Sequence, residues 1–165
     1  MRELLIICGP TASGKTAVAV EICREIGGEV VSADSMQIYR GMDIGTAKPS
    51  EEEKRGVPHH LLDIIDPGEL YSVAAYREKA VEAIEDIFAR GKTPVVCGGT
   101  GLYIDALTRP MGFSAQGDES IRRRLEEIAE QSGGRERLHD MLREVDPDSA
   151  DRLHVNDVRR VVRAL

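Results

Sequence analysis

The chain has 165 residues, 41% hydrophobic and 31% charged, enough for one ordinary globular domain with a buried core. Its net charge of -7, from 22 basic and 29 acidic residues, argues against a protein that coats nucleic acid non-specifically but leaves room for a local basic patch. With 4% aromatic residues and no Trp, it lacks the composition of a base-stacking platform.

Three cysteines show no pairing pattern, and Cys8 and Cys97 fall on strands expected to be buried. That usage fits a reducing compartment, the cytoplasm, and no zinc site. Residues 1–3 lack a signal-peptide profile, and no apolar run approaches the ~20 residues of a membrane span.

Residues 4–8 form an apolar run without alternation, which predicts a buried parallel strand. It leads into Gly9, Pro10, Thr11, Ala12, Ser13, Gly14, Lys15 and Thr16, which match the phosphate-loop pattern G-x-x-x-x-G-K-[ST] at every fixed position. The glycines let the backbone approach phosphate oxygens, and the N–H groups and the following helix start supply positive ends of dipoles. Lys15 adds a charge, and the Thr16 hydroxyl is placed to ligate Mg²⁺ on the phosphates. A helix over residues 17–26 follows, stopped by Gly27 and Gly28. This context favours a di- or triphosphate site over a chance match.

A second strand over residues 29–34 ends in Asp34. That carboxylate could ligate Mg²⁺ through water, act as a general base, or merely cap the next turn. Residues 35–49 are polar, glycine-bearing and aperiodic, and predict a long functional loop. A short capped helix over 50–55 and a third strand over 60–66 come next. Asp63 and Asp66 resemble a second metal-binding strand end, although Asp66-Pro67-Gly68 is a turn signature in its own right. His59 and His60 have no third metal ligand nearby and read as structural.

Ser72 caps a helix over 73–90, with Ala74, Val81, Ala83, Ile84, Ile87 and Phe88 as its expected inner stripe and Gly91 as its stop. A fourth strand over 93–99 runs into Gly98-Gly99-Thr100, which either presents N–H groups and a hydroxyl to a ligand or simply caps the helix over 100–107. Strands alternating with helices imply an α/β fold: a parallel P-loop sheet with helices on both faces and ligands at the carboxyl ends of its strands. The phosphate loop, Asp34 and residues 98–100 should therefore converge on one crevice.

From Arg109 the texture changes. Residues 110–117 read as a linker, followed by charged helices over 119–131, 135–145, 149–153 and from 158 onward, with no strand among them. This divides the chain into a P-loop core, 1–112, and a helical insertion or lid, 113–165. Arg122, Arg123 and Arg124 have Glu126 and Glu127 within helical pairing distance, so surface ion pairs account for them as well as phosphate contacts do. Residues 152–165 carry four arginines and His154 against Asp157 alone. The last residues, 161–165, lie inside an expected helix without a stop signal, which suggests a piece of a longer protein.

Taken together, GPTASGKT (9–16), SADSMQIYRGMDIGTAKP (32–49), PHHLLDI (58–64), YSVAAYR (71–77), GGTGLYIDAL (98–107) and HVNDVRRVVRAL (154–165) resemble the bacterial tRNA dimethylallyltransferase family along the whole chain. The resemblance implies transfer of a dimethylallyl group from dimethylallyl diphosphate to the exocyclic amine of the adenosine beside the tRNA anticodon. Mg²⁺ on Thr16, a cytoplasmic location and a monomer at full length go with it. By resemblance, Asp34, Thr100 and Lys15 are catalytic. Asp34, Ser35, Met36, Gln37, Thr100, Arg122, Arg159, Arg160, Val161, Val162 and Arg163 contact tRNA. Competing readings are a small-molecule P-loop kinase, prenyl transfer to free AMP, and a non-catalytic nucleotide-binding module.

Overall fold

A computed structural model of the chain describes residues 3–110 and 118–165. Two compact units span 1–112 and 113–165.

The first unit runs β1 (Leu5–Cys8), α1 (Lys15–Ile26), β2 (Glu29–Ser32), α2 (Glu51–Lys54), β3 (His59–His60), α3 (Val73–Ala89), β4 (Pro94–Gly98) and α4 (Gly101–Thr108). All paired strands are parallel, in the order β1-β4-β2-β3. β2 and β4 are central and buried at every residue. Their side chains alternate between two cores. Val30, Val95 and Cys97 pack with Ala19, Val20 and Cys23 of α1. Val31 and Val96 pack with Tyr76, Ala80, Ile84 and Ile87 of α3 and Tyr103 of α4. Helices thus cover both faces, as the strand–helix alternation requires.

Three expectations are corrected. β1 is an edge strand: it pairs only with β4 among the described residues, Leu5 is 38% exposed, and Cys8 is exposed rather than buried. β3 is two residues long, because Leu61 and Asp63 take φ values of 63° and 56° that break an extended ladder. The inner face of α3 is Tyr76, Ala80, Ile84 and Ile87, leaving Val81 exposed; the Tyr76 ring stacks on Tyr103 with centroids 3.8 Å apart and sets the rotation of the helix. Ala83 and Phe88 only pack against the margin of that face, and Ala74 is exposed.

A buried carboxylate fastens the lower end of the sheet. Glu29, 1% exposed at the start of β2, accepts from the Arg90 guanidinium through both oxygens, from Lys92 Nζ at 2.7 Å, and faces His60 Nε2 at 2.7 Å. The hydrogen bonds from Arg90 outweigh desolvation and, with those from Lys92 and His60, hold the Glu29 carboxyl well below the usual carboxylate range. A depressed folded-state pKa adds stability above the unfolded value of ~4.3 and loses it as pH falls toward the folded one. Glu29→Gln should cost about 3 kcal/mol at neutral pH, with the cations left without their anion. Urea unfolding should show the gap to wild type narrowing below pH ~4; a pH-independent gap would contradict this reading.

The second unit is helical in its described residues: α5 (Glu119–Ala129), α6 (Gly134–Val145), α7 (Pro147–Arg152) and α8 (Val158–Ala164). Asp118 caps α5, and Asp146, followed by Pro147 at the first helical position, caps α7. Leu125, Leu138, Leu142, Ala150, Val161 and Val162 form its core. A Cβ at Gly134 would lie 1.8 Å from the Ile128 carbonyl oxygen, so only glycine lets the start of α6 approach α5 this closely. The linker expected over 110–117 lies, beyond Pro110, outside the described residues.

Candidate active site

The carboxyl ends of β1, β4 and β2 meet side by side. Cys8 is in register with Gly98, and Ser32 with Cys97. Past the strands, Ala33 N–H donates to the Cys97 carbonyl at 2.8 Å and Thr100 N–H to the Ala33 carbonyl at 3.1 Å. Gly98 makes this closeness possible: a Cβ there would sit 2.2 Å from the Ala33 oxygen. A Cβ on Gly99 would lie 3.3 Å from the Gly9 oxygen, so the Gly98-Gly99 turn runs between the phosphate loop and the Asp34 segment. Burial pushes the Cys97 thiol up to about 11, with Lys15 pulling it down and Asp34 pushing it up, so both charges lie within electrostatic reach of one sulfur.

The loop over residues 9–16 is a backbone cup. Gly14 (φ 80°) and Ala12 (φ 63°) are both left-handed, the kind of turn that gathers successive N–H groups into an anion-binding concavity. Ala12, unlike glycine, carries a Cβ in that region and so holds some strain at the loop. Gly14 precedes α1 with no side-chain cap hydrogen bond, which leaves the first N–H groups of a helix of 12 residues without an N-cap side chain. Lys15 reaches back to donate to the Pro10 carbonyl, with Ser13 Oγ 3.5 Å away, and Ser13 Oγ donates to the same carbonyl at 2.8 Å. Thr16, half-buried, is the second residue of α1.

Asp34 is both a cap and a candidate base. One carboxylate oxygen accepts from Met36 N–H at 2.9 Å and from Gln37 N–H at 3.3 Å, the local capping that the sequence left open. That bonding fixes the carboxylate while its other oxygen makes no hydrogen bond among the described residues. Thr100 does more than begin α4. Its Oγ1 accepts from Ser35 N–H at 3.0 Å and lies 3.3 Å from Ser35 Oγ, joining the β4 turn to the Asp34 segment. Gln37 donates through Nε2 to the Thr46 and Ala47 carbonyls at 3.1 and 3.2 Å and folds the long loop back on itself. Met36 is 45% exposed beside them.

Two fastenings of that loop were not visible in the sequence. Lys48, its side chain 5% exposed, donates to Tyr39 O, Asp43 and Asp63. Arg40 bonds Asp66 at 2.9 Å and the Ile64 carbonyl at 3.2 Å. Asp63 and Asp66 are therefore ion-pair partners of the loop rather than a second metal-binding strand end. Among the described residues no group of three His, Cys, Asp or Glu side chains could hold a metal by itself. An Mg²⁺ ion suits Thr16 only in the manner usual for that ion, completed by substrate phosphates and water.

A family model described as "IPP transferase" matches residues 37–165. The chain belongs to the IPP transferase family. Its relatives include a tRNA dimethylallyltransferase of Geobacter metallireducens, 58% identical over 99% of this chain and 52% of that protein. Another, of Thermotoga petrophila, is 52% identical over 99% of this chain and 53% of that protein. The chain thus spans about half the length of the curated relatives it matches. Among solved structures, a full-length tRNA isopentenylpyrophosphate transferase from Bacillus halodurans superposes with TM-score 0.68 at 47% identity, covering 99% of this chain and 54% of that one. A eukaryotic dimethylallyltransferase caught acting on tRNA gives TM-score 0.83 at 33% identity, covering 99% and 40%.

Within this member of the family, the arginines expected to meet tRNA lie on the surface of the helical unit. Arg159, Arg160 and Arg163 are exposed on α8, and Arg160 pairs with Asp157 at 3.3 Å. Arg122 is half-buried and pairs with Glu119 at 3.3 Å. Val161 and Val162 differ from these arginines in exposure. At 1% and 6% exposure their side chains belong to the core of this unit, the inner face of the helix whose outer face carries the arginines.

Proposed function

We propose that the full-length protein transfers a dimethylallyl group from dimethylallyl diphosphate to the exocyclic amine of the adenosine beside the tRNA anticodon, releasing diphosphate. The observation that carries the reading is the Gly98-Gly99-Thr100 turn, which joins a phosphate cup to a fixed carboxylate. A prenyl diphosphate offers the cup the same two adjacent phosphates as the end of a nucleotide. As the allylic C–O bond breaks, its electron pair leaves on the diphosphate, where the loop N–H groups and Lys15 meet the developing charge. The adenine nitrogen forms the new C–N bond and gives up a proton, which the Asp34 carboxylate accepts. Thr100 and Ser35 hold the Asp34 segment against the phosphate turn, and Gln37 shapes the loop that would grip a base flipped from its stack. Mg²⁺, held by Thr16 and the phosphates, would neutralise charge on the leaving group.

The acceptor reading rests on the exposed arginines of α8, which give an acidic chain a local phosphate-binding face. Affinity for tRNA should fall steeply with salt despite the net charge of -7. Replacing Arg159 and Arg160 together with Ala should flatten the slope of log affinity against log salt by about two units or a little less. A slope unchanged from wild type would remove this face from the interface. We place the enzyme in the cytoplasm as a monomer, as the family resemblance implies.

The test is one incubation of the full-length protein with labelled dimethylallyl diphosphate, labelled ATP, AMP and an anticodon stem-loop containing the adenosine. Label passing from the prenyl donor to the stem-loop supports the reading. Prenyl transfer to AMP in preference, or phosphoryl transfer from ATP, would replace it.

A further inference from the structure

Beneath the phosphate loop lies a small cavity of about 20 Å³, lined among others by Thr16, Ser32, Gln37, His59 and Cys97. Two polar atoms there are buried without a hydrogen-bond partner: Ser32 Oγ and His59 Nε2. Their environment fixes what they offer. His59 Nδ1 lies 2.8 Å from the Val57 carbonyl, which can only accept, so Nδ1 carries the proton. Burial, opposed by the Val57 hydrogen bond, lowers the His59 pKa and favours the neutral ring. Nε2 is then a bare acceptor beside the cavity. Ser32, 3% exposed at the end of β2, has a hydroxyl that can both donate and accept.

An orphaned acceptor and an orphaned hydroxyl on residues that line one small cavity, not bonded to each other, call for a bridging group. The cavity has room for a water-sized molecule and supplies the two or more polar partners that such a molecule needs. We propose that His59 and Ser32 hold an ordered water under the phosphate loop, and that this water braces Thr16 and Gln37 from behind. His59 is thereby a positioning residue: it touches no phosphate but sets the floor on which the first turn of α1 and the long loop rest. The water's existence is independent of the prenyl-transfer reading; its effect on the phosphate site rests on that reading.

The test has two arms on the full-length protein. In a high-resolution crystal structure, a solvent peak should lie within hydrogen-bond distance, roughly 2.6–3.2 Å, of both His59 Nε2 and Ser32 Oγ. No peak there, or a direct contact between the two side chains, overturns the proposal. In calorimetry with inorganic diphosphate and Mg²⁺, His59→Phe, which keeps the ring but removes the acceptor, should weaken binding roughly tenfold. His59→Gln, which restores an acceptor near Nε2, should recover most of it. Wild-type affinity in His59→Phe overturns the positioning role, and Ser32→Ala makes the same test should the larger change unfold the protein. If wild type binds no diphosphate at all, the prenyl-transfer reading fails, while the crystallographic arm still decides the water.

Discussion

Asn at position 34 should lower the rate of prenyl transfer by ~10²–10⁴ while leaving substrate affinity nearly unchanged. The amide preserves the size of the carboxylate, and its oxygen can still accept from Met36 and Gln37 N–H, so the turn after β2 keeps its shape. What it loses is the basic oxygen that takes the amine proton. A group acting only in the transition state lowers kcat and kcat/KM together, and steady-state kinetics with the full-length enzyme separates this from a binding defect. A metal-holding Asp34 makes a different forecast, namely weaker donor binding with partial rescue by extra Mg²⁺. Rescue of that kind would make Asp34 a metal-site residue and overturn its assignment as the base.

Lys15→Ala should weaken binding of the diphosphate donor roughly 100-fold, the worth of one or two hydrogen bonds to a charged group. The effect has two sources. The ammonium itself meets the phosphates, and its bond to the Pro10 carbonyl ties one side of the loop to the other, so its loss also slackens the cup. The fold should survive, because the Lys15 side chain belongs to neither hydrophobic core of the first unit. Calorimetry with inorganic diphosphate and Mg²⁺, beside a thermal melt, reads both. Unchanged affinity would take the loop out of the mechanism.

Much of this was legible because punctuation is local. Gly14 and Gly27 bound α1, Ser72 and Gly91 bound α3, and the Gly98-Gly99 pair marks the turn where the crevice forms. What required the third dimension was pairing across sequence. An apolar run reads alike in a central and an edge strand, so the exposure of β1 follows from its pairing with β4 alone among the described residues. The β3 ladder stops at residues with left-handed φ that are ordinary in composition, Leu61 and Asp63. The rotation of α3 is set by Tyr76 meeting a ring that lies 27 positions further along, Tyr103. Glu29 and Lys48, charged residues with every appearance of surface positions, are buried by partners from distant segments. On α8 the family resemblance marked five consecutive residues, 159–163, as one tRNA-contacting run. Helical geometry divides that run into arginines outside and valines inside.

Asp34 and the Thr100 turn should act as one site, coupled through Ser35. A double-mutant cycle tests it: Asp34→Asn, Thr100→Val and the pair, compared by kcat/KM for prenyl transfer in the full-length enzyme. Thr100→Val keeps the side-chain volume and removes the oxygen that bonds Ser35 at 3.0 Å. The loss in the double variant should fall short of the product of the single losses by at least ~3-fold, as expected of groups that share one constellation. A double variant whose loss equals that product would show two independent residues rather than one site.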